Sequence, residues 1–182
     1  MKLKLFAFLA MATLLTGCGS TDILPSSNAP AVANRYLVQA IQKLSDSTRG
    51  TILVDSVDYI CSYLYVESSE DASKLDLEYC GYFIEYRRST GGDPRYAQVS
   101  IGRYFEVDEE GVEENDEFSD LELANTIEQL DRLYADFLVE MGDLEESIPF
   151  ISEQNPGASI EYNLIQGSFS ESEIQRAMRS VS

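Results

Sequence analysis

Two aromatic-rich segments, 57–66 (VDYICSYLYV) and 76–88 (DLEYCGYFIEYRR), do most to constrain what this chain can become. Both are rich in β-branched and aromatic residues, as half-buried strands are. Between them, 67–74 (ESSEDASK) is polar and turn-like. Each segment carries one cysteine. Laying Cys61 opposite Cys80 in an antiparallel hairpin sets Val57 against Ile84 and Tyr59 against Tyr82 on one face. The other face then pairs Leu64 with Leu77 and Ile60 with Gly81. Apolar residues meet apolar residues along this ladder, and a slip of one residue would turn each set to the wrong side. The hairpin register and a Cys61–Cys80 disulfide are therefore expected together.

Residues 95–107 (RYAQVSIGRYFEV) read as a third strand, reached through the turn cluster from Ser89 to Pro94. Gly102 within it suggests a bulge. Residues 31–46 read as a helix, with Pro30 in its first turn and Ala33, Leu37, Ala40, Ile41 and Leu44 at helical spacing. Gly50 is expected to break the chain before 51–54 (TILV), which opens the first strand. Residues 106–117 carry eight acidic side chains and read as a solvated loop. Ser119 with Glu122 has the form of a capping box, opening a long helix with a stripe at Leu123, Ile127, Leu130, Tyr134, Phe137, Met141 and Leu144. The stripe reads as packing across the sheet, with a seam to another chain as the alternative. Residues 159–166 suggest a fourth strand, and Ser170 with Glu173 caps a short terminal helix. The expected fold is α+β: an antiparallel three- to four-stranded sheet with helices packed on one face, in a single domain over 31–182.

The N-terminus has its own pattern. Lys2 and Lys4 precede the apolar run Leu5–Leu15, which is too short to span a bilayer and reads as a signal peptide. Leu15, Thr16, Gly17 and Cys18 follow. This stretch resembles the lipobox of bacterial lipoproteins. The resemblance implies removal of residues 1–17, diacylglyceryl transfer to the Cys18 thiol and acylation of the new amine. It also implies attachment to a lipid bilayer through Cys18, with residues 18–30 as a flexible tether. Gly19 resembles the outer-membrane default of enterobacterial lipoproteins, on the periplasmic side. Export to an oxidising compartment would leave Cys61 and Cys80 as the pair free to bridge.

Composition narrows the chemistry. The 182 residues hold 13 Lys+Arg against 32 Asp+Glu, with neither His nor Trp, for a net charge of −19. Without imidazole there is no His-based triad or proton shuttle. The charge argues against nucleic acid as a partner. Gly91-Gly92 sits in a hairpin turn and has no lysine behind it, so it is no phosphate loop. With Gly111 as the sixth position of a calcium loop, the ligand positions fall on Glu106, Asp108, Glu110 and Glu117. Glu106 stands where Asp is expected and Glu113 where an apolar residue should pair. The segment therefore supports at most a weak, irregular Ca2+ site, and a solubilising loop is the stronger reading. Tyrosines crowd the meander, with Tyr59, Tyr63, Tyr65, Tyr82 and Tyr86 as candidates for a partner-binding surface. The leading expectation is a non-catalytic envelope lipoprotein that binds or scaffolds another envelope protein. Its rivals are an acidic module capturing a cationic protein, peptide or divalent cation, and a carboxylate-dependent hydrolase of envelope glycans.

Overall fold

The computed structural model of the protein describes residues 29–67, 74–107 and 113–181. In chain order the elements are α1 (Ala29–Thr48), β1 (Ile52–Glu67), β2 (Lys74–Arg88), β3 (Arg95–Val107), β4 (Glu113–Ala124), α2 (Ile127–Gln154), β5 (Ser159–Ser168) and α3 (Glu171–Val181). Cys18 and residues 19–28 of the expected tether lie outside the described residues, and Ala29 and Pro30, the last two residues of that segment, belong to α1.

The β1–β2 hairpin has the expected register. Val57 pairs with Ile84, Tyr59 with Tyr82, Ile60 with Gly81, Cys61 with Cys80 and Leu64 with Leu77. The Cys61–Cys80 disulfide closes across this ladder with 4.1 Å between the Cα atoms. Both cysteines are buried. Gly91 and Gly92 both take positive φ in the turn to β3, where a side chain would be strained. At the end of α1 it is Arg49, at φ 50°, and not Gly50, that takes up the left-handed conformation.

The fold is α+β, but the antiparallel sheet has five strands, in the order β4-β3-β2-β1-β5. The extra strand is β4, which comes from the segment expected to be loop and helix start. Its residues pair with β3 from Val107↔Glu113 to Tyr96↔Ala124. The period-two placement of Leu121 and Leu123, opposite Val99 and Ala97, favours a strand over the helical stripe. Ser119 is not a cap: its hydroxyl and carbonyl both accept bonds from the Lys43 ammonium, at 2.8 and 2.9 Å. Nor does Gly102 mark a bulge, because the β3 pairing runs unbroken past it. Its missing side chain leaves the space that the Phe118 ring of β4 occupies.

The capping box lies further along. The Thr126 hydroxyl accepts from the Gln129 backbone N–H, and the Gln129 side chain accepts from the Thr126 N–H. From there α2 runs unbroken to Gln154, past Pro149. Its 28 residues span about 42 Å at 1.5 Å per residue. That length lets it carry the chain from β4, at one edge of the sheet, to β5 at the other.

Helices cover both faces, not one. Successive strand residues point to opposite sides. Val57, Cys61, Cys80, Tyr82, Ile84, Val99 and Ile101 face α1 and α3, whose Leu37, Ile41, Leu44, Ile174 and Ala177 complete the main core. Ile60 and Phe83, on the other face, meet Phe137 and Met141 of α2 in a smaller cluster. Here Gly81 has a clear packing role. A Cβ at Gly81 would lie 2.8 Å from the Phe137 ring, which is held between Tyr79 and Phe83 at centroid distances of 5.1 and 5.8 Å. Gly81→Ala should therefore cost about 1–3 kcal/mol by overpacking. In a Phe137→Leu background the same substitution should cost clearly less, as read by chemical denaturation. Equal costs in the two backgrounds would show that α2 does not press on Gly81.

Candidate functional site at the open end of the sheet

On the α1-bearing face the ladder continues past the disulfide as two largely polar rows. Counting by twos from Cys61 and Cys80 reaches Tyr63 and Tyr65 on β1, and Glu78 and Asp76 on β2. Across the sheet, Asn163, Tyr63, Glu78 and Arg103 form one row, and Glu161, Tyr65, Asp76 and Phe105 the next. On β1, β2 and β5 the apolar alternation that builds the core upstream gives way to polar residues and tyrosines here.

α1 leans over the first row. Arg35 donates from one guanidinium nitrogen to both Glu78 carboxylate oxygens, at 2.9 and 2.8 Å. The Tyr36 hydroxyl donates to Glu78 Oε2 at 2.7 Å. The Glu78 side chain is 8% exposed and that of Arg35 is 50% exposed, so the acid is buried while the base reaches solvent. Burial, reinforced by the bond to Glu78, raises the Tyr36 pKa well above its ordinary value.

The second row is less well satisfied. Asp76 Oδ1 is buried without a hydrogen-bond partner. Burial, then the neighbouring Glu78 charge, raises the Asp76 pKa, while Arg103 and Arg35 pull against that shift. Tyr63 is pushed up to about 12, first by burial and then by Asp76, Glu161 and Glu78. The Tyr65 hydroxyl donates to Glu67 at 2.9 Å, and the Asn163 amide donates to Glu161 at 3.1 Å. This end of the sheet thus joins two partly exposed phenol rings to several carboxylates, of which Asp76 keeps one buried oxygen without a hydrogen-bond partner. Such a surface suits an ammonium or guanidinium group, which can meet a ring face and a carboxylate together.

Of the five tyrosines expected to form a partner surface, Tyr63 and Tyr65 lie at this end. Tyr59 is partly buried against Phe169, with ring centroids 4.9 Å apart. Tyr82 and Tyr86 belong to the core, and the Tyr82 hydroxyl donates to the Ala33 carbonyl at 2.7 Å. Neither offers a surface: the face they share is the one α1 covers. The acidic segment is not one continuous loop either. Glu106 lies in β3 opposite Glu114, and Glu117 in β4 opposite Arg103. Asp108 and Glu110 lie outside the described residues. Among the described residues there is no group of three or more His, Cys, Asp or Glu placed to hold a metal ion.

Sequence reasoning missed Arg35, Tyr36, Asp76, Glu78 and Glu161. A signal for the β2 pair was there, since Asp76 and Glu78 interrupt the face that Cys80 and Tyr82 begin. No family model matches the chain, no curated protein matches it, and no solved structure matches it.

The raised Asp76 pKa has a sign that can be tested. The folded state holds this proton more tightly than the unfolded chain, whose carboxyl titrates near 3.8. The contribution of Asp76 to stability is therefore complete at low pH and is lost as pH rises through the folded pKa. Asp76→Asn should raise the melting temperature at pH 7 and leave it nearly unchanged near pH 3. A variant melting like the parent at pH 7 would show that the Asp76 charge is not held against the fold.

Proposed function

We propose that this chain is a lipid-anchored protein of the bacterial envelope that binds another envelope protein without catalysing a reaction. The lipobox-like Leu15–Cys18 supports the anchor, and Gly19 supports an outer-membrane position facing the periplasm. No helix among the described residues is long and apolar enough to cross a membrane. In this reading the acyl chains on Cys18 hold the protein at the bilayer. The tether then enters α1, whose Arg35 and Tyr36 border the open end of the sheet.

The observation that carries the reading is the placement of Tyr63 and Tyr65 beside Glu78, Asp76 and Glu161 on a strand surface that no helix among the described residues fully covers. Partly exposed tyrosines supply contact area at little entropic cost, and the acids select a basic partner. The partner class is therefore a protein presenting lysine or arginine. A photo-crosslinking residue placed at Tyr63 of the full chain, in its native host, tests this. A discrete protein adduct is expected, weakened by Tyr65→Ser and lost from the membrane fraction when Cys18→Ser removes the anchor. The absence of any adduct, or a Cys18→Ser chain that stays with the membrane, would overturn the reading.

A further inference from the structure

A second surface lies on the far side of α2. Phe137 and Met141 are the buried residues of this helix, so the sheet covers a narrow strip of it. Yet Leu138, Val139 and Phe150 are 41%, 64% and 63% exposed. At ~100° per residue, Val139 points ~200° away from Phe137, almost directly outward. Phe150 follows eleven residues later, three turns on and ~16 Å along the same side. One turn after Val139 stands Asp143, and one turn before Phe150 stands Glu146, both exposed. Leu138, Gly142 and Pro149 flank the stripe. Over its whole length α2 carries eight acidic residues and one arginine, Arg132, which is paired with Glu128 at 3.1 Å.

We infer that this outer face of α2 docks a cationic amphipathic helix of another protein. Apolar residues at i and i+11 of that helix would cover Val139 and Phe150, and basic residues at i+4 and i+7 would meet Asp143 and Glu146. Charge decides the occupant. A second copy would set eight acids against eight, and an anionic lipid surface would be repelled. The segment 19–28 of the chain itself contains no basic residue to answer the acids. The surface lies on the opposite face of the sheet from Tyr63 and Tyr65, so it is separate from the sheet-end reading and neither stands or falls with the other.

The test uses the full acylated chain in zwitterionic nanodiscs, with empty nanodiscs as the blank. The probe is a synthetic helical peptide with leucines at i and i+11 and lysines at i+4 and i+7. Two twins replace the lysines by glutamate or the leucines by serine. The lysine–leucine peptide should bind, and both twins should bind at least about tenfold more weakly, about 1.4 kcal/mol. Val139→Ser/Phe150→Ser should weaken it by about the same factor, with the melting temperature unchanged. Asp143→Asn/Glu146→Gln should weaken it and flatten its salt dependence. Leu53→Ser, which removes an exposed leucine on β1, should change nothing. A peptide that fails to bind, or that binds the Val139/Phe150 variant as well as the parent, would overturn the inference. So would a dimer of the protein abolished by that variant, which would assign the face to a second copy.

Discussion

The Cys61–Cys80 bridge ties together the two strands that hold the middle of the sheet. β1 and β2 are each paired on both sides, β1 with β2 and β5, β2 with β1 and β3. The bridge spans a sequence separation of 19 and, in the chain-entropy model, adds about 3 kcal/mol by restricting the unfolded chain. For a domain of this size that is a substantial part of the total. It also fixes the register. Once Cys61 faces Cys80, the residues of β1 from Ser56 onward and their partners on β2 are assigned to one face or the other; a register shift between Val54 and Ser56 resets the alternation at the start of β1.

From that assignment follow the two cores and the open end. Residues in step with Cys61 build the large cluster under α1 and α3, while Ile60 and Phe83 build the small one under α2. The same alternation carried two and four residues further brings Tyr63, Tyr65, Asp76 and Glu78 onto one surface. There the apolar face ends and α1 contributes Arg35 and Tyr36. The proposed partner surface is thus an extension of the core ladder, held in place by the same strands.

The hairpin was legible because cysteine spacing and apolar pairing point to one register. Strands β3 and β5 and helices α1 and α3 were legible from periodicity with clear turn signals. β4 was not. Its acidic residues resemble a loop, and Ser119 with Glu122 imitates a cap that Thr126 and Gln129 supply further along. What makes 113–124 a strand is its pairing with β3, and Lys43 reaching Ser119 from α1 over 76 residues. The period-two placement of Leu121 and Leu123 is the one local hint of the strand; neither the pairing nor the Lys43 contact is encoded locally. The same holds for the site: the tyrosines were visible as a class, but which of them are buried depends on where α1 lies. Tyr82 and Tyr63 look alike in the sequence, yet one donates to the Ala33 carbonyl and the other stays half-exposed.

Native-state hydrogen exchange, before and after reduction, tests most directly whether the fold depends on the bridged central hairpin. Amides in 57–64 and 77–84 should be the slowest to exchange, opening only with global unfolding. Reduction of Cys61–Cys80 should then speed the slowest amides of every element, α2 and β4 included, by roughly a hundredfold, as about 3 kcal/mol requires. Slowest exchange elsewhere, or an acceleration confined to the hairpin, would contradict the claim that the rest of the structure is built on it.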